Sequence, residues 1–211
     1  MLTRFRQFWT NLLSPIAHLL LRVGVSPDAV TLIGTLGVSA GALAFFPSGR
    51  IWQGVVVVTA FVFSDLIDGY MARVSGRSSI WGAFWDSTLD RVGDAAVFGG
   101  FVLYYAGVGD DDVMMAVSLY ALVMGSVTSY ARARAESLGM QAKGGIAERA
   151  DRLVAVLGIA FIADVFNLMI LLDVVLWLLA AASTVTVVQR MMLVRRQALA
   201  LHDEPPSPQA T

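Results

Sequence analysis

Four aspartates stand at helical spacing within apolar sequence: Asp65 and Asp68 three residues apart, Asp86 and Asp90 four apart. Residues so spaced share one face of a helix. Two neighbouring antiparallel helices can therefore aim four carboxylates at one point. In a low-dielectric surrounding such a group cannot stay fully ionised without cations, and ionisable groups inside membrane spans mark function. Oxygen-only donors, in a chain without cysteine, favour a hard divalent ion such as Mg²⁺ or Mn²⁺. Four ligands suffice for two ions flanking a phosphoryl displacement. The plainer alternative is ion pairing with Arg73, Arg77 and Arg91. It serves for one carboxylate near a wet helix end, and poorly for two pairs on consecutive spans.

The elements that must carry these residues are membrane helices. The 211-residue chain is 57% hydrophobic and 15% charged, with a mean hydropathy of +0.69. Soluble domains lie nearer 45–50% apolar and about 25% charged. The composition argues against both a soluble globular protein and disorder. Absence of cysteine excludes disulfides, zinc-thiolate sites, iron–sulfur clusters and cysteine nucleophiles. A net charge of -1 gives no sign of a nucleic-acid partner.

The predicted fold is all-α and integral to the membrane, with about six transmembrane helices of roughly 20 apolar residues each. The spans are expected near 29–46, 51–63, 81–106, 113–129, 149–162 and 173–188, the second running into Asp65 and Asp68 without a visible break. Phe5, Phe8, Trp9, Leu12 and Leu13 recur at helical spacing among polar residues. They predict an amphipathic helix over 1–22 lying on the membrane surface. The start of the chain lacks the long apolar core and cleavage site of a secretory signal. Residues 23–197 form the transmembrane domain, and Pro205, Pro206 and Pro208 predict a disordered tail over 198–211.

Nearly all basic residues fall where odd-numbered spans begin and even-numbered spans end; Arg50 alone lies at the other end. The positive-inside rule then puts both termini and the carboxylates at the cytoplasmic face of the plasma membrane. The same end carries Ser129, Arg132, Arg134, Arg149, Arg152 and Arg190. Several arginines around one cavity suit a phosphorylated ligand. Contacts to lipid headgroups are the bland alternative.

The full pattern is Asp65-x-x-Asp68-Gly69-x-x-Ala72-Arg73, eight residues, then Gly82-x-x-x-Asp86-x-x-x-Asp90. It resembles the signature of the CDP-alcohol phosphotransferase family at every position. That resemblance implies an enzyme that binds CDP-diacylglycerol, uses two divalent ions, Mg²⁺ or Mn²⁺, and works as a homodimer among membrane lipids. It makes Asp65, Asp68, Asp86 and Asp90 the metal ligands, with Asp90 also the general base. Gly69 and Gly82 remove side chains where a bulky ligand would approach, although glycine also permits close helix packing. Arg73 offers a fork of donors to phosphate. The Pro-x-x-x-Thr element at Pro27 implies that Asp28, Ala29, Val30 and Thr31 contact the cytidine end, with Ser79 as a further contact. For Asp28, Thr31 and Ser79, helix capping is the competing role.

A closer resemblance covers segments 22–28, 129–136, 144–153 and 188–190. It is to the actinobacterial branch of that family whose acceptor is myo-inositol phosphate. It implies that Ser129, Arg132, Arg134, Arg152 and Arg190, with Arg149 as a further member, hold the acceptor phosphate. Arginine stands at position 132 where some relatives have lysine; charge is retained, but donor geometry differs. Glycerol 3-phosphate is the alternative acceptor, since it too carries a phosphate. A divalent-cation transporter is the alternative of another class, but it has no need of Gly69, Arg73 and Gly82. Asp94 continues the Asp86/Asp90 face outside the motif and is expected to pair with an arginine.

Overall fold

The computed structural model describes residues 14–76, 79–146 and 148–203. The first thirteen residues of the predicted surface helix lie outside the described residues; 14–22 are helical and form α1. The other helices are α2 (Pro27–Phe45), α3 (Ile51–Val62), α4 (Ser64–Val74), α5 (Ile80–Ala106), α6 (Asp112–Ser137), α7 (Arg149–Val165) and α8 (Ile170–Asp203). No strand occurs among the described residues.

Local chemistry sets the helix starts. Ser26 caps α2 by accepting from the Ala29 N–H at 3.2 Å, with Pro27 at the first position, where its missing N–H costs nothing. Ser79 caps α5 through the Gly82 N–H. Asp111 caps α6 through the Met114 N–H. Glu148 and Asp151 form a capping box at the start of α7. A tertiary contact caps α3: Asp164 of α7 accepts from the Trp52 N–H at 2.7 Å.

The second span runs on into the aspartates as Ile51–Val74, with a single-residue turn between α3 and α4. The helix is interrupted at Phe63, where the Ser64 hydroxyl donates to the Phe61 carbonyl at 2.6 Å. A side chain that bonds nearby backbone offers an alternative to the helical ladder. Toward its end the chain is more regular than expected. α8 continues through 198–203, where the sequence predicts a structureless tail. The stretch Gln197-Ala198-Leu199-Ala200 favours helix, and the prolines begin only at Pro205. Residues 204–211 lie outside the described residues.

α2 packs against α3, α4 and α5; α6 packs against α5 and α8; α7 packs against α3 and α8. The main core runs along these contacts, with Phe46 stacked on Phe101 at 4.6 Å between ring centroids. A smaller core of Ala17, Val30 and Met71 joins α1, α2 and α4. Large apolar side chains such as Ile33, Leu36, Val56, Trp177 and Leu178 face outward. A surface of that kind suits acyl chains rather than water.

Four helical segments are long and apolar enough to cross a membrane: Pro27–Ser48, Ile51–Val74, Asp112–Ser137 and Ile170–Ala200. The two other expected spans are α5, which carries Asp86, Asp90, Arg91 and Asp94, and α7, which has 17 residues. Both pack among those four.

Close packing gives a test at two adjacent glycines. A Cβ on Gly100 would lie 2.9 Å from the Phe46 ring and 3.1 Å from the Ala42 carbonyl oxygen, whereas one on Gly99 meets nothing within 4 Å. Gly100→Ala is expected to cost about 1–3 kcal/mol, the range for overpacking. It should lower the thermal midpoint of the purified protein in detergent, while Gly99→Ala leaves that midpoint unchanged or raises it.

Candidate functional site

Segments of α2, α4, α5, α6, α7 and α8 enclose two polar cavities. The first, of about 360 Å³, is lined by Pro27, Asp28 and Thr31 of α2, by Asp65, Asp68, Gly69, Ala72 and Arg73 of α4, by Gly82, Ala83, Asp86 and Asp90 of α5, with Ser79 before α5 and Arg149 of α7. All four predicted metal ligands therefore face one space. Gly69 is open to it: a Cβ there would meet only the Arg73 guanidinium, at 3.6 Å. Gly82 is similarly free of helix packing; a Cβ would meet Ser79 Oγ at 3.3 Å and Asp28 Oδ1 at 3.7 Å. These glycines widen the cavity rather than bring helices together.

The α2 residues divide their work. Thr31 Oγ1 stands 2.5 Å from Asp68 Oδ2 and 3.2 Å from the Pro27 carbonyl. Its single proton goes to the shorter, charge-assisted contact, so the hydroxyl fixes a carboxylate of the motif. The Asp28 carbonyl accepts from Trp85 Nε1 at 3.1 Å and ties α2 to α5. Ala29 and Val30, expected at the cytidine end, do not line the cavity. Val30 is buried in the small core, and the Ala29 N–H is taken by the Ser26 cap. Ser79 caps α5 and also lines the cavity.

The second cavity, also of about 360 Å³, is lined by Ser129 and Arg132 of α6, Arg149 and Arg152 of α7, and Arg190 of α8, together with Ser87, Asp90, Arg91, Thr128, Ala133, Glu136, Glu148 and Ala150. Five of the six residues expected around the acceptor thus converge. Arg134 does not: it turns along its own helix, with NH1 3.4 Å from Ser137 Oγ. Arg190 lines the cavity but is anchored by backbone, donating from NH1 to the Thr128 carbonyl at 2.6 Å and from Nε to the Gly144 carbonyl at 3.1 Å. Arg132 reaches Glu136 at 3.0 Å. Sequence reasoning missed Arg91 and Ser87 as lining residues. The signal was present, since residues four apart share a face and this pair lies one position round α5 from Asp86 and Asp90.

Asp90 and Arg149 border both cavities. The Arg149 guanidinium joins them: NH1 contacts Asp90 Oδ1 at 2.7 Å and Asp65 Oδ2 at 3.4 Å, and Nε donates to Asp94 Oδ1 at 3.0 Å. Asp94 thus pairs with an arginine, as its position predicts. Arg91 adds a longer contact to Asp90, at 3.6 Å. The donor chemistry suits a hard divalent ion: four carboxylates around one cavity, with Thr31 holding Asp68. As they stand, no three acidic or imidazole groups among the described residues are gathered closely enough to hold an ion.

Comparison with known proteins identifies the family. A family model described as CDP-alcohol phosphatidyltransferase matches residues 24–189. A phosphatidylinositol phosphate synthase of Streptomyces avermitilis is 53% identical over 198 residues, covering 91% of this chain and 81% of the relative. A protein of the same name from Cutibacterium acnes is 50% identical, covering 93% of this chain and 98% of the relative. The crystal structure of Mycobacterium tuberculosis phosphatidylinositol phosphate synthase with CDP-DAG bound is similar with a TM-score of 0.84 and 40% identity, covering 95% of this chain and 98% of that one. A second structure of that enzyme, in complex with manganese and citrate, is similar with a TM-score of 0.83 and 40% identity over 94% of this chain and 93% of that one. A membrane helix bundle with the complete aspartate motif around one cavity, matched by the family model over most of its length, places this chain in the CDP-alcohol phosphatidyltransferase family.

Proposed function

We propose that this chain transfers the phosphatidyl group of CDP-diacylglycerol to a hydroxyl of myo-inositol phosphate, releasing CMP. The observation that carries the proposal is the pair of polar cavities sharing Asp90 and Arg149. One presents the motif carboxylates, open glycines and Arg73, as a nucleoside diphosphate requires. The other presents Ser129 and several arginines, as a phosphorylated alcohol requires. The names of the relatives favour inositol phosphate over glycerol 3-phosphate as that alcohol.

In this reading Asp28, Thr31, Gly69, Arg73 and Ser79 surround the cytidine diphosphate end, Thr31 acting chiefly through Asp68. Ser129, Arg132, Arg149, Arg152 and Arg190 surround the acceptor's phosphate. Asp90 takes the proton of the attacking hydroxyl. That oxygen bonds to the lipid-linked phosphorus as the bond to the CMP oxygen breaks, and CMP leaves with the electron pair. Asp65, Asp68, Asp86 and Asp90 would hold divalent ions, magnesium or manganese, which supply charge neutralisation to the diphosphate and its leaving group. The similar enzyme crystallised with manganese supports the use of a divalent ion.

We further infer six spans, with α5 and α7 crossing among the four apolar segments. The cavities open to the cytoplasmic side of the plasma membrane, with the lipid tails left in the bilayer. The working form is a homodimer.

The direct test is CMP release by purified protein from CDP-diacylglycerol and Mg²⁺ with inositol phosphate, glycerol 3-phosphate or free inositol offered separately. Release with inositol phosphate alone is expected; release with glycerol 3-phosphate alone would overturn the acceptor assignment. Asp90→Asn should lower kcat by about 10²–10⁴-fold, the usual contribution of a general base. Gly69→Ala should fold with an unchanged thermal midpoint. It should raise the KM for CDP-diacylglycerol by roughly tenfold, the scale of about one lost polar contact.

A further inference from the structure

Asp94 belongs to neither cavity, yet two arginines of the second cavity rest on it. Its side chain is on α5, one turn beyond Asp90, and the residue is 6% exposed. Oδ1 accepts from Arg149 Nε at 3.0 Å, and Oδ2 lies 3.6 Å from Arg152 NH2. Each arginine has a further fixed contact. Arg149 NH1 reaches Asp90 at 2.7 Å. Arg152, 2% exposed, reaches the Gly125 carbonyl at 3.4 Å. Gly125 makes room for it: a Cβ there would lie 3.2 Å from Arg152 Nε. The result is a row of alternating charge, Asp90–Arg149–Asp94–Arg152, from the border of the two cavities into the helix packing beneath the second.

We propose that Asp94 is a positioning residue for the acceptor: it holds Arg149 and Arg152 in the geometry in which they meet the acceptor's phosphate, and through Arg149 it fixes Asp90 against the attacking hydroxyl. The physical reason is directional. A guanidinium presents donors in a rigid plane, so a carboxylate engaging Nε sets where the opposite edge points. Arg149 uses Nε toward Asp94 and NH1 toward Asp90, which fixes its plane at two points. Without Asp94, Arg149 keeps its charge but loses one of those points, and the buried Arg152 loses its Asp94 contact. The loss reaches the first cavity only through the Arg149 contacts to Asp90 and Asp65, and leaves its glycines and Arg73 in place.

This inference rests on the acceptor reading above. The test therefore uses whichever phosphorylated alcohol the wild-type protein accepts, so a wrong acceptor identity and a wrong role for Asp94 give different results. Asp94→Asn keeps shape and removes charge. The expected result is a KM for the phosphorylated acceptor raised about tenfold or more, the scale for partners that orient a binding group, with kcat lowered and the KM for CDP-diacylglycerol raised by a clearly smaller factor. Asp94→Glu restores the charge at a longer reach and should recover part of the acceptor KM. Combined with Arg149→Gln, Asp94→Asn should add little to the loss caused by Arg149→Gln alone, because residues acting through one another are non-additive. Equal defects toward both substrates, or full additivity with Arg149→Gln, would overturn the proposal. If Asp94→Asn does not reach the folded membrane fraction, Asp94→Glu carries the same substrate comparison. An equal defect toward CDP-diacylglycerol in that variant would overturn the proposal as well.

Discussion

Carboxylates inside an apolar helix bundle need counter-charge within reach, and α4 and α5 bring five of them to one end. Arg149 meets that need for three, touching Asp65, Asp90 and Asp94 from the first residue of α7. Its position is fixed by the capping box of Glu148 and Asp151, which sets where α7 begins. The α7 helix is held in turn by its packing on α3 and α8 and by the Asp164 bond to the start of α3. The placement of one guanidinium thus depends on contacts along the whole helix. The cost of losing it would be large, because an unpaired buried charge is worse than no ion pair at all.

That constraint also explains why the polar space divides in two. Arg149 and Asp90 form a common border, with the motif carboxylates on one side and a basic cavity on the other. A diphosphate with its divalent ions and a phosphorylated alcohol are both strongly charged, and each needs its own compensation. In the proposed reaction the two meet at the one carboxylate facing both spaces. No side chain then has to travel between the donor and acceptor steps.

The local part of this arrangement was legible in the sequence. Spacings of three and four residues place Asp65 with Asp68, and Asp86 with Asp90 and Asp94, whatever the helices pack against. The pairing of Asp94 with arginine followed from its place on that face. What depends on neighbouring helices was not legible. Arg132 and Arg134 look equivalent in sequence, but only Arg132 turns into the cavity. Arg190 carries the expected charge, yet two of its donors go to backbone carbonyls that no local pattern reveals. Thr31 lines the expected cavity, and its hydroxyl bond to Asp68 is a contact that no local pattern reveals. The charges at Asp86, Asp90, Arg91 and Asp94 lower the apolarity of α5, which is not among the four segments apolar enough to cross a membrane.

The central claim is that donor and acceptor occupy the two sides of Asp90 and react directly, with no enzyme-bound phosphatidyl group between them. The most direct measurement is the stereochemical course at the transferred phosphorus, using CDP-diacylglycerol made chiral at the lipid-linked phosphate by isotopic and sulfur substitution. One in-line displacement across the shared border predicts inversion of configuration in the product. Retention would require two successive displacements through a group on the protein, and would contradict the account.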